Sequence, residues 1–498
     1  ASGVFRNTRL IVTFKEAIDP ASLAELIPGV MPENTPIMSQ PSEGVYKYTT
    51  FNFDVDHDGN PATPLVPIPV SALRLKRAGS DGLPSAVQII KTEDIRSTVR
   101  NSDGAKYLGS DASQADVLVT FTEDLRTFIF TPVKRAGRTQ RELFGSATAD
   151  VGYTIYLCGT APDKGRCQNG GIKLRSGISA FQGYFKDYQW SFTTGTLVDT
   201  TPPKVVTVLP LPDQGKDFLS DCSAGDWNTT TRICDRRDKP RNTMLQVNFS
   251  EAVLPTVASG RVITLNAQGV SASSGAFKPG TYTLMKVSIA GPTYLAGEWK
   301  LGNQYRTAEF ISSDLCGRNS CGQDVFCLPA REGVFGQLVS ASLLAPGDFT
   351  SASRFDGLED VAGNALDGNA DGAAQGPVTY FNKNTPNATP KGGDNAQWSF
   401  FTGPDIDLAP PVIIETKPNI EQPGAALLDP LETDFNKPMA MTSLSSSTLG
   451  IEGHDTVTGG FWDTWWMVES EPIDQNQDED PEGTRAKIMH GGLWEKTN

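Results

Sequence analysis

Two short loops carry the residue types that bind calcium. Residues 54–60 read Asp-Val-Asp-His-Asp-Gly-Asn, and residues 367–372 read Asp-Gly-Asn-Ala-Asp-Gly. Alternate oxygen-bearing side chains in a tight loop converge on one point, and the glycine permits the turn that completes the shell. We therefore predict Ca²⁺ ligands from two sets of side chains: Asp54, Asp56, Asp58 and Asn60 in the first loop, and Asp367, Asn369 and Asp371 in the second.

The alternative for both loops is a turn rich in Asp, Asn and Gly that binds only water. An EF-hand closes its shell with a bidentate glutamate at the twelfth position of the loop. Leu65 and Val378 stand at that position here, so neither loop is an EF-hand.

The seven cysteines fall into three local groups, which are Cys158 with Cys167, Cys222 with Cys234, and Cys316 with Cys321 and Cys327. No spacing is C-x-x-C, and three histidines in the whole chain leave a zinc site few partners. Short-range disulfides in an oxidising compartment are favoured over free thiols in the cytosol. The trio leaves one cysteine over, for a bridge to another group, another chain or a segment outside this sequence.

Nucleophilic catalysis is not predicted. The chain has no G-x-S-x-G elbow, no plausible Cys-His pair and no Gly-rich phosphate loop. We therefore predict that the protein is not an enzyme. Glycoside hydrolysis needs only two carboxylates, and 58 acidic residues leave that chemistry open on composition alone.

The charge balance argues against nucleic acid. The net charge is −15 and the basic residues are scattered, whereas a duplex-binding surface needs clustered Lys and Arg. An acidic surface suits solubility outside the cell and attracts divalent cations. No apolar stretch approaches the roughly 20 residues of a membrane helix, so no membrane span is predicted.

The elements that must position these residues are strands, and they repeat. An alternating strand that ends in Phe occurs at residues 10–14, 245–249 and 431–435. Gln-Trp-Ser-Phe occurs at residues 189–192 and 397–400, each time followed by an acidic linker and Pro-Pro. Helical turns are expected at residues 19–26 and 358–365. Trp190, Trp299 and Trp398 are expected in the core.

This repeat predicts three all-β modules, at residues 1–197, 198–405 and 406–498. The first lacks the Pro-rich entry, so we expect either that its N-terminal part is missing or that this module is atypical. The third is about half as long as the others and has no closing Trp-Ser-Phe strand, so we expect it to be truncated.

Several of these segments resemble the bacterial Ig-like domains of the surface-layer (SbsA) type. Residues 360–364 read Asp-Val-Ala-Gly-Asn, which matches that family's Asp-x-Ala-Gly-Asn signature. Residues 12–23 and 247–257 are similar to its opening, residues 130–132 to its Phe-x-Pro segment, and residues 398–402 to its closing strand. The resemblance implies tandem Ig-like β-sandwich domains with large loop insertions, on the cell surface or secreted, without catalysis.

The leading expectation is therefore a non-catalytic extracellular structural or interaction protein of the bacterial cell surface, serving as a surface-layer, filament or adhesin-stalk segment. Its expected partners are other copies of itself or cell-surface proteins and glycans. One alternative is an adhesin that binds a glycan or protein through the cysteine-stapled loops at 158–167, 222–234 and 316–327. Another is an accessory region of a large secreted hydrolase.

Overall fold

A computed structural model gives the fold of the chain. The residues it describes are 2–26, 45–48, 50–53, 66–69, 73–75, 86–92, 115–122, 124–134, 142–159, 171–181, 187–210, 227–228, 233–234, 239–255, 262–266, 281–282, 285–289, 295, 297–330, 337–346, 357–374, 376, 394–419, 430–444, 448–449, 453–454, 461–462, 466–473 and 483–490. Within these residues, no helix combines the length and the apolar character needed to cross a bilayer.

The described chain consists of β-strands joined by turns, together with three single-turn 3-10 helices at Pro20–Ser22, Asn303–Tyr305 and Met441–Ser443. The pairings between named strands are antiparallel. The all-β prediction is confirmed.

The strands of residues 1–197 are β1 (Leu10–Thr13), β2 (Ala24–Leu26), β3 (Val45–Tyr48), β4 (Thr50–Phe53), β5 (Val66–Pro69), β6 (Leu73–Leu75), β7 (Val87–Lys91), β8 (Ala115–Phe121), β9 (Thr127–Lys134), β10 (Val151–Cys158) and β11 (Asp187–Thr194). Those of residues 198–405 are β12 (Val205–Leu209), β13 (Trp227–Asn228), β14 (Ile233–Cys234), β15 (Leu245–Phe249), β16 (Val262–Asn266), β17 (Thr281–Tyr282), β18 (Met285–Ile289), β19 (Gly297–Gly302), β20 (Thr307–Ser312), β21 (Leu315–Arg318), β22 (Asp324–Phe326), β23 (Gln337–Leu343) and β24 (Ala396–Thr402). Residues 406–498 contribute β25 (Ile413–Lys417), β26 (Leu431–Phe435), β27 (Gly453–His454), β28 (Phe461–Trp462), β29 (Trp466–Ile473) and β30 (Gly483–His490).

The chain divides into two compact units. Unit 1 comprises Ala1–Pro203, Leu254–Leu284 and Leu344–Asn395, and unit 2 comprises Lys204–Val253, Met285–Leu343 and Ala396–Asn498. These bounds follow spatial contacts, and they divide residues 198–405 between the two units. The three module boundaries read from the sequence therefore stay a prediction.

Unit 1 is a sandwich of two main sheets over one core. The sheets have the strand orders β1-β9-β8-β6-β2 and β11-β10-β7, and smaller sheets join β3 with β16 and β17, and β4 with β5. Val12 and Phe128 from the first sheet and Ile89 and Ile155 from the second belong to one buried apolar cluster. Trp190 is partly buried against the same cluster.

Unit 2 contains three larger sheets, with the orders β12-β15-β20-β19, β18-β23-β24 and β25-β26-β30-β29, and the hairpins β13–β14, β21–β22 and β27–β28. Trp299 on β19 and Trp398 on β24 are buried, as expected from the alternation along their strands. A smaller apolar cluster surrounds Phe435 and Ile488 in the last sheet.

The first sheets of the second and third predicted modules repeat each other in detail. Both pair their opening strand with the strand that ends in Phe, through Val205↔Phe249 and Ile413↔Phe435. Each opening strand then has a register shift, before Thr207 in one and before Glu415 in the other. Strands β12, β15, β20 and β19 with β18, β23 and β24 follow the A-B-E-D and C-F-G order of an immunoglobulin constant-type sandwich.

The helical turn expected at residues 358–365 is wrong. Glu359 and Ala365 form an antiparallel β-bridge, and Gly363 has a φ of 89° at the turn between them. A positive φ suits glycine and breaks a right-handed helix.

Candidate functional site: clamped linkers, a module junction and an acidic loop

The predicted calcium loop at residues 367–372 is closed by its own hydrogen bonds. The buried carboxylate of Asp367 accepts hydrogen bonds from the amides of Asp371 and Gly372, at 3.1 and 2.8 Å. Asn369 Oδ1 accepts a second bond from the amide of Asp371, at 2.9 Å. These bonds account for the Asp, Asn and Gly residues as a shaped turn, and calcium binding stays a prediction.

The other predicted calcium loop, with Asp54, Asp56, Asp58 and Asn60, lies outside the described residues. Its cation site therefore also stays a prediction.

A short-range disulfide is present in the cysteine trio. Cys316 and Cys327, eleven residues apart, are bonded at the base of the β21–β22 hairpin. Cys321 is the cysteine left over, and it is an exposed free thiol.

Cys158 is disulfide-bonded as well, to a partner outside the described residues. The side chains of Cys167, Cys222 and Cys234 also lie outside them, so the other predicted bridges stay predictions.

An asparagine ahead of β1 holds the linker that leaves the first predicted module. Asn7 Nδ2 donates to the carbonyl of Asp199 at 2.7 Å, and the amide of Asp199 donates back to Asn7 Oδ1 at 2.8 Å. The amide of Arg6 donates to the carbonyl of Leu197 at 3.0 Å, and Arg6 Nε donates to the carbonyl of Phe144. The linker is thus tied to the entry of the module that it leaves.

The same arrangement recurs in unit 2. Asn242 Nδ2 donates to the carbonyl of Asp407 at 2.6 Å, and the amide of Asp407 returns a bond to Asn242 Oδ1 at 2.9 Å. The amide of Arg241 donates to the carbonyl of Asp405, and Arg241 Nε donates to the carbonyl of Leu328. We call each of these arrangements a linker clamp: Arg6 and Asn7 on residues 197–199, and Arg241 and Asn242 on residues 405–407.

Both linkers continue in the same way beyond the clamp. The side chain of Asp199 accepts from the amide of Thr201 at 3.0 Å, and that of Asp407 accepts from the amide of Ala409 at 3.0 Å. Each Asx turn leads directly into Pro-Pro and the next strand.

Our sequence reading missed the clamps, although a signal was present. Arg-Asn-Thr stands at residues 6–8 and again at 241–243, and each time a single residue separates it from a strand that begins Leu-x-Val. A repeated polar triplet at a fixed offset from a repeated strand indicates a shared contact.

A buried acidic region surrounds the first linker. Arg9 pairs with Glu359 at 2.8 Å, and both side chains are almost fully buried. Asp360, next along the chain, accepts from the amide and the side chain of Asn364 at 2.7 and 2.8 Å. Burial raises the pKa of Asp360 to about 6. Its carboxylate and that of Asp199 have oxygens within 4.8 Å of each other.

In unit 2, a buried carboxylate joins the second and third predicted modules. Glu309 on β20 is fully buried and accepts from the amides of Met441 and Thr442, at 2.6 and 3.2 Å, and from the Thr442 hydroxyl. Gln246 Nε2 on β15 donates to the same carboxylate at 2.8 Å and to the carbonyl of Met439 at 3.2 Å. Burial raises the pKa of Glu309.

A left-handed turn completes this junction. Asn303, Gln304 and Tyr305 all have φ between 50° and 67°, a region that Asn tolerates but that Gln and Tyr rarely adopt. Asn303 Nδ2 donates to the carbonyl of Ser470 at 2.7 Å, and the amide of Ser470 donates back to Asn303 Oδ1 at 2.9 Å. The neighbouring Gly302 has no room for a side chain, because a Cβ there would lie 2.5 Å from the Thr442 Cα.

Comparisons with known proteins assign no family. No protein-family model matches the chain, and no curated protein matches it.

Proposed function

We propose that this chain is a non-catalytic structural segment of a bacterial cell-surface protein, in which tandem β-sandwich modules are joined by fixed linkers. The work of such a segment is to hold its modules in a defined succession and to present them to other copies or to surface partners. Surface-layer, filament and adhesin-stalk proteins all need this property.

The recurrence of the linker clamp is the observation that carries the proposal. A flexible tether needs no specific contacts along its length. Here Asn7 and Asn242 each form a reciprocal pair of bonds with the main chain of a linker, and Arg6 and Arg241 add a bond at the same offset. A fold that repeats the fixing of its linkers is suited to transmitting position from module to module.

The junction in unit 2 supports the same proposal. Glu309 and Gln246 bond to one segment of residues 406–498, at Met439 and Met441, and Asn303 bonds to a second, at Ser470. The disulfide between Cys316 and Cys327 favours an oxidising compartment, since such bonds rarely persist in the cytosol.

Location is the first test. Antibodies against this chain are applied to intact cells of the source bacterium, before and after treatment with an external protease, and to the lysed fractions. We expect labelling of intact cells that protease removes. Recovery of the protein only in the cytosolic fraction, with reduced cysteines, would overturn the proposal.

The second test asks whether the linkers are fixed. Spin labels are attached at the positions of Lys300 and Glu415, which are both about half exposed. Cys321→Ser first removes the exposed free thiol of the hairpin, and the distance between the two labels then reports on the joint in unit 2. We expect a narrow distance distribution that broadens in Asn242→Ala. The control, Asn319→Ala, removes an amide side chain that bonds within the β21–β22 hairpin and should leave the distribution unchanged.

A second candidate function is adhesion through a stapled loop. Leu315 and Phe326 face each other across the β21–β22 hairpin, and both are exposed, at 58% and 42%. Exposed apolar pairs on a rigid loop suit recognition of a protein. Binding of the chain to host or neighbouring cells that is lost in Leu315→Ser with Phe326→Ser, while the fold is kept, would favour this function over a spacer.

A further inference from the structure

Two sheets of unit 2, β12-β15-β20-β19 and β25-β26-β30-β29, correspond residue by residue. Leu245 pairs with Phe310 in the first sheet as Leu431 pairs with Ile488 in the second. The pairing of β19 with β20 matches that of β29 with β30 in the same way. Because alternate residues of a strand point to the same face, the polar faces of the two sheets can be compared position by position.

The polar face of the first sheet holds a short segment that follows β26. Glu309 on β20 is fully buried, and its carboxylate accepts hydrogen bonds from the amides of Met441 and Thr442 and from the Thr442 hydroxyl. Gln246 Nε2 on β15 donates both to this carboxylate and to the carbonyl of Met439. A buried carboxylate needs such donors, and most of those that reach Glu309 come from this segment.

Two further side chains shape the same face. The Thr307 hydroxyl donates to Asn248 Oδ1 at 2.7 Å and lies 3.5 Å from the sulfur of Met441, which is fully buried. Asn248 Nδ2 donates in turn to Gln246 Oε1 at 3.1 Å. This bond orients the Gln246 carboxamide so that its Nε2 faces the segment.

Room for the segment depends on a glycine. A Cβ at Gly302 would lie 2.5 Å from the Thr442 Cα. Gly302 has a φ of −142°, which any residue can adopt, so the closeness of Thr442 and not the backbone conformation requires glycine here. We call residues 439–442 the plug. The residues that receive it, which we call the socket, are Gln246, Asn248, Gly302, Thr307 and Glu309.

The last sheet carries a charged residue at every counterpart of the socket. Arg485 donates to both carboxylate oxygens of Asp434, at 2.7 Å each, and lies 3.6 Å from a carboxylate oxygen of Glu432. Lys487 pairs with Glu471 at 2.8 Å. This face therefore pairs its charges within its own sheet. In the order of the socket residues above, the counterparts are Glu432, Asp434, Glu471, Arg485 and Lys487.

These charged residues cannot make the contacts of the socket. Lys487 stands where Glu309 accepts bonds from the plug, and an ammonium group donates hydrogen bonds but accepts none. The plug would present its N–H groups to a cation there. Glu471 stands where Gly302 leaves room for Thr442, so the side chain of Glu471 would occupy the space that the plug needs.

We propose that the five socket positions determine which sheet accepts the plug, so that the joint between the second and third predicted modules forms in one direction only. The segment that fits the socket presents two successive main-chain N–H groups, with a methionine side chain on the first residue and a hydroxyl on the second. The module that carries the plug has a closed face in place of a socket, so this face refuses the plug of a second copy of the chain.

This inference deepens the proposed function, on which it rests for its biological setting, because it names the residues that fix the succession of the modules.

The first test adds a side chain to the socket of the full chain. Gly302→Glu introduces the residue of the last sheet, and Gly317→Glu is the matched control, because a Cβ at Gly317 would meet nothing within 4 Å. Hydrogen exchange is measured at the amides of Met441 and Thr442. We expect exchange to be about tenfold faster or more in Gly302→Glu, since the amides lose their acceptor, and unchanged in Gly317→Glu. Continued protection of residues 431–435 shows that the last sheet is folded.

The second test converts the closed face into a socket. The full chain keeps its own plug in its own socket, and a fluorescent synthetic peptide of residues 437–445 is added. We expect saturable binding, measured by anisotropy, to the converted chain and none to the parent at the same peptide concentration. A converted chain that keeps Glu471 should not bind, because the space for Thr442 stays filled. The exchanges are Glu432→Gln, Asp434→Asn, Glu471→Gly, Arg485→Thr and Lys487→Glu.

Equal exchange at the plug amides in the two glycine variants would overturn the inference. Binding of the peptide by the parent chain as well, or by neither chain when circular dichroism shows the converted chain to be folded, would also overturn it. The glycine variants decide the matter if the converted chain does not fold. None of these results bears on the location of the protein or on the linker clamps, so failure here is distinguishable from failure of the proposed function.

Discussion

The two linkers share one clamp but lie in different surroundings. Asn7 is buried and donates a further bond to the carbonyl of Ala362 at 3.2 Å, next to the buried Arg9–Glu359 pair. The second linker is exposed, and its Asp407 pairs with Lys437 at 2.6 Å. Lys437 lowers the pKa of Asp407, whereas burial raises the pKa of Asp360 beside the first linker.

This comparison shows which features of the linker clamp repeat and which do not. The reciprocal bonds of the asparagine to the linker main chain are the same in both copies. The charged groups around these bonds are buried in one copy and solvated in the other. The two copies should therefore differ in how much these groups contribute to the free energy of unfolding, and in how that contribution depends on pH and salt.

Removing the buried ion pair should have the largest effect. Arg9→Met leaves Glu359 buried without its cation, which costs about 3–5 kcal/mol of the unfolding free energy of unit 1. Urea unfolding of fluorotryptophan-labelled protein measures this, because Trp190 lies in unit 1 and Trp190→Phe assigns its resonance. Arg126→Ala, an exposed arginine of the same unit, should change the free energy by less than about 0.5 kcal/mol. Equal effects would show that the pair contributes little.

The stability of unit 1 should depend on pH because of Asp360. Its pKa is about 6 in the fold, above the ordinary value of about 3.9 for the unfolded chain. The folded state therefore holds the proton more tightly, so this contribution is complete below about pH 4 and is lost as the pH rises through about 6.

The measurement is the difference in unfolding free energy between the parent protein and Asp360→Asn from pH 4 to pH 7. The asparagine keeps an acceptor for the Asn364 amide but does not ionise. We expect the difference to shift against the parent by up to about 3 kcal/mol as the pH rises. A difference that stays flat across this range would contradict the assignment.

Removing the asparagine should destabilise the two clamps to slightly different extents. Asn7→Ala loses three bonds and Asn242→Ala loses two, at about 1 kcal/mol each. Hydrogen exchange at the amides of Asp199 and Asp407 should accelerate in the respective variants, more strongly for Asn7→Ala. An unchanged rate at either amide would mean that the linker is held by its other contacts.

The smallest effect should come from the exposed ion pair. Lys437→Met should cost less than about 1 kcal/mol, since the pair is solvated. Exchange at the Ala409 amide should depend on salt in the parent and lose that dependence in the variant. Exchange at the Thr201 amide of the first linker should not depend on salt in either protein.

The strands were predictable because the alternation of apolar and polar residues involves only neighbouring positions in the sequence. The patterns at residues 10–14, 245–249 and 431–435 placed β1, β15 and β26, and the Pro-Pro pairs placed the strands that follow the linkers. The spacing of Cys316 and Cys327 indicated a local bridge, which the structure confirms.

The clamps and the buried charges were not predictable by local rules. Asn7 and Asn242 bind main-chain groups that lie 192 and 165 residues further along the chain. From local sequence, Arg9 beside a strand is expected to be solvated. It is buried because it pairs with Glu359, which lies far along the sequence in another segment of unit 1. The left-handed turn at Asn303 likewise involves Ser470, a distant strand residue, and of its three residues only Asn303 has a propensity for positive φ.

The clamps also decide how tension would travel through the polypeptide. A pull on the chain beyond Pro203 acts first on the bond from the Asp367 amide to the Pro203 carbonyl, and then on the two bonds between Asn7 and Asp199. A pull beyond Pro411 acts on the bonds of Lys437 and Asn242 to residues 407–409 before it reaches the closing strand. Tension on either linker therefore loads these side-chain contacts before it loads the closing strand of the sandwich behind them.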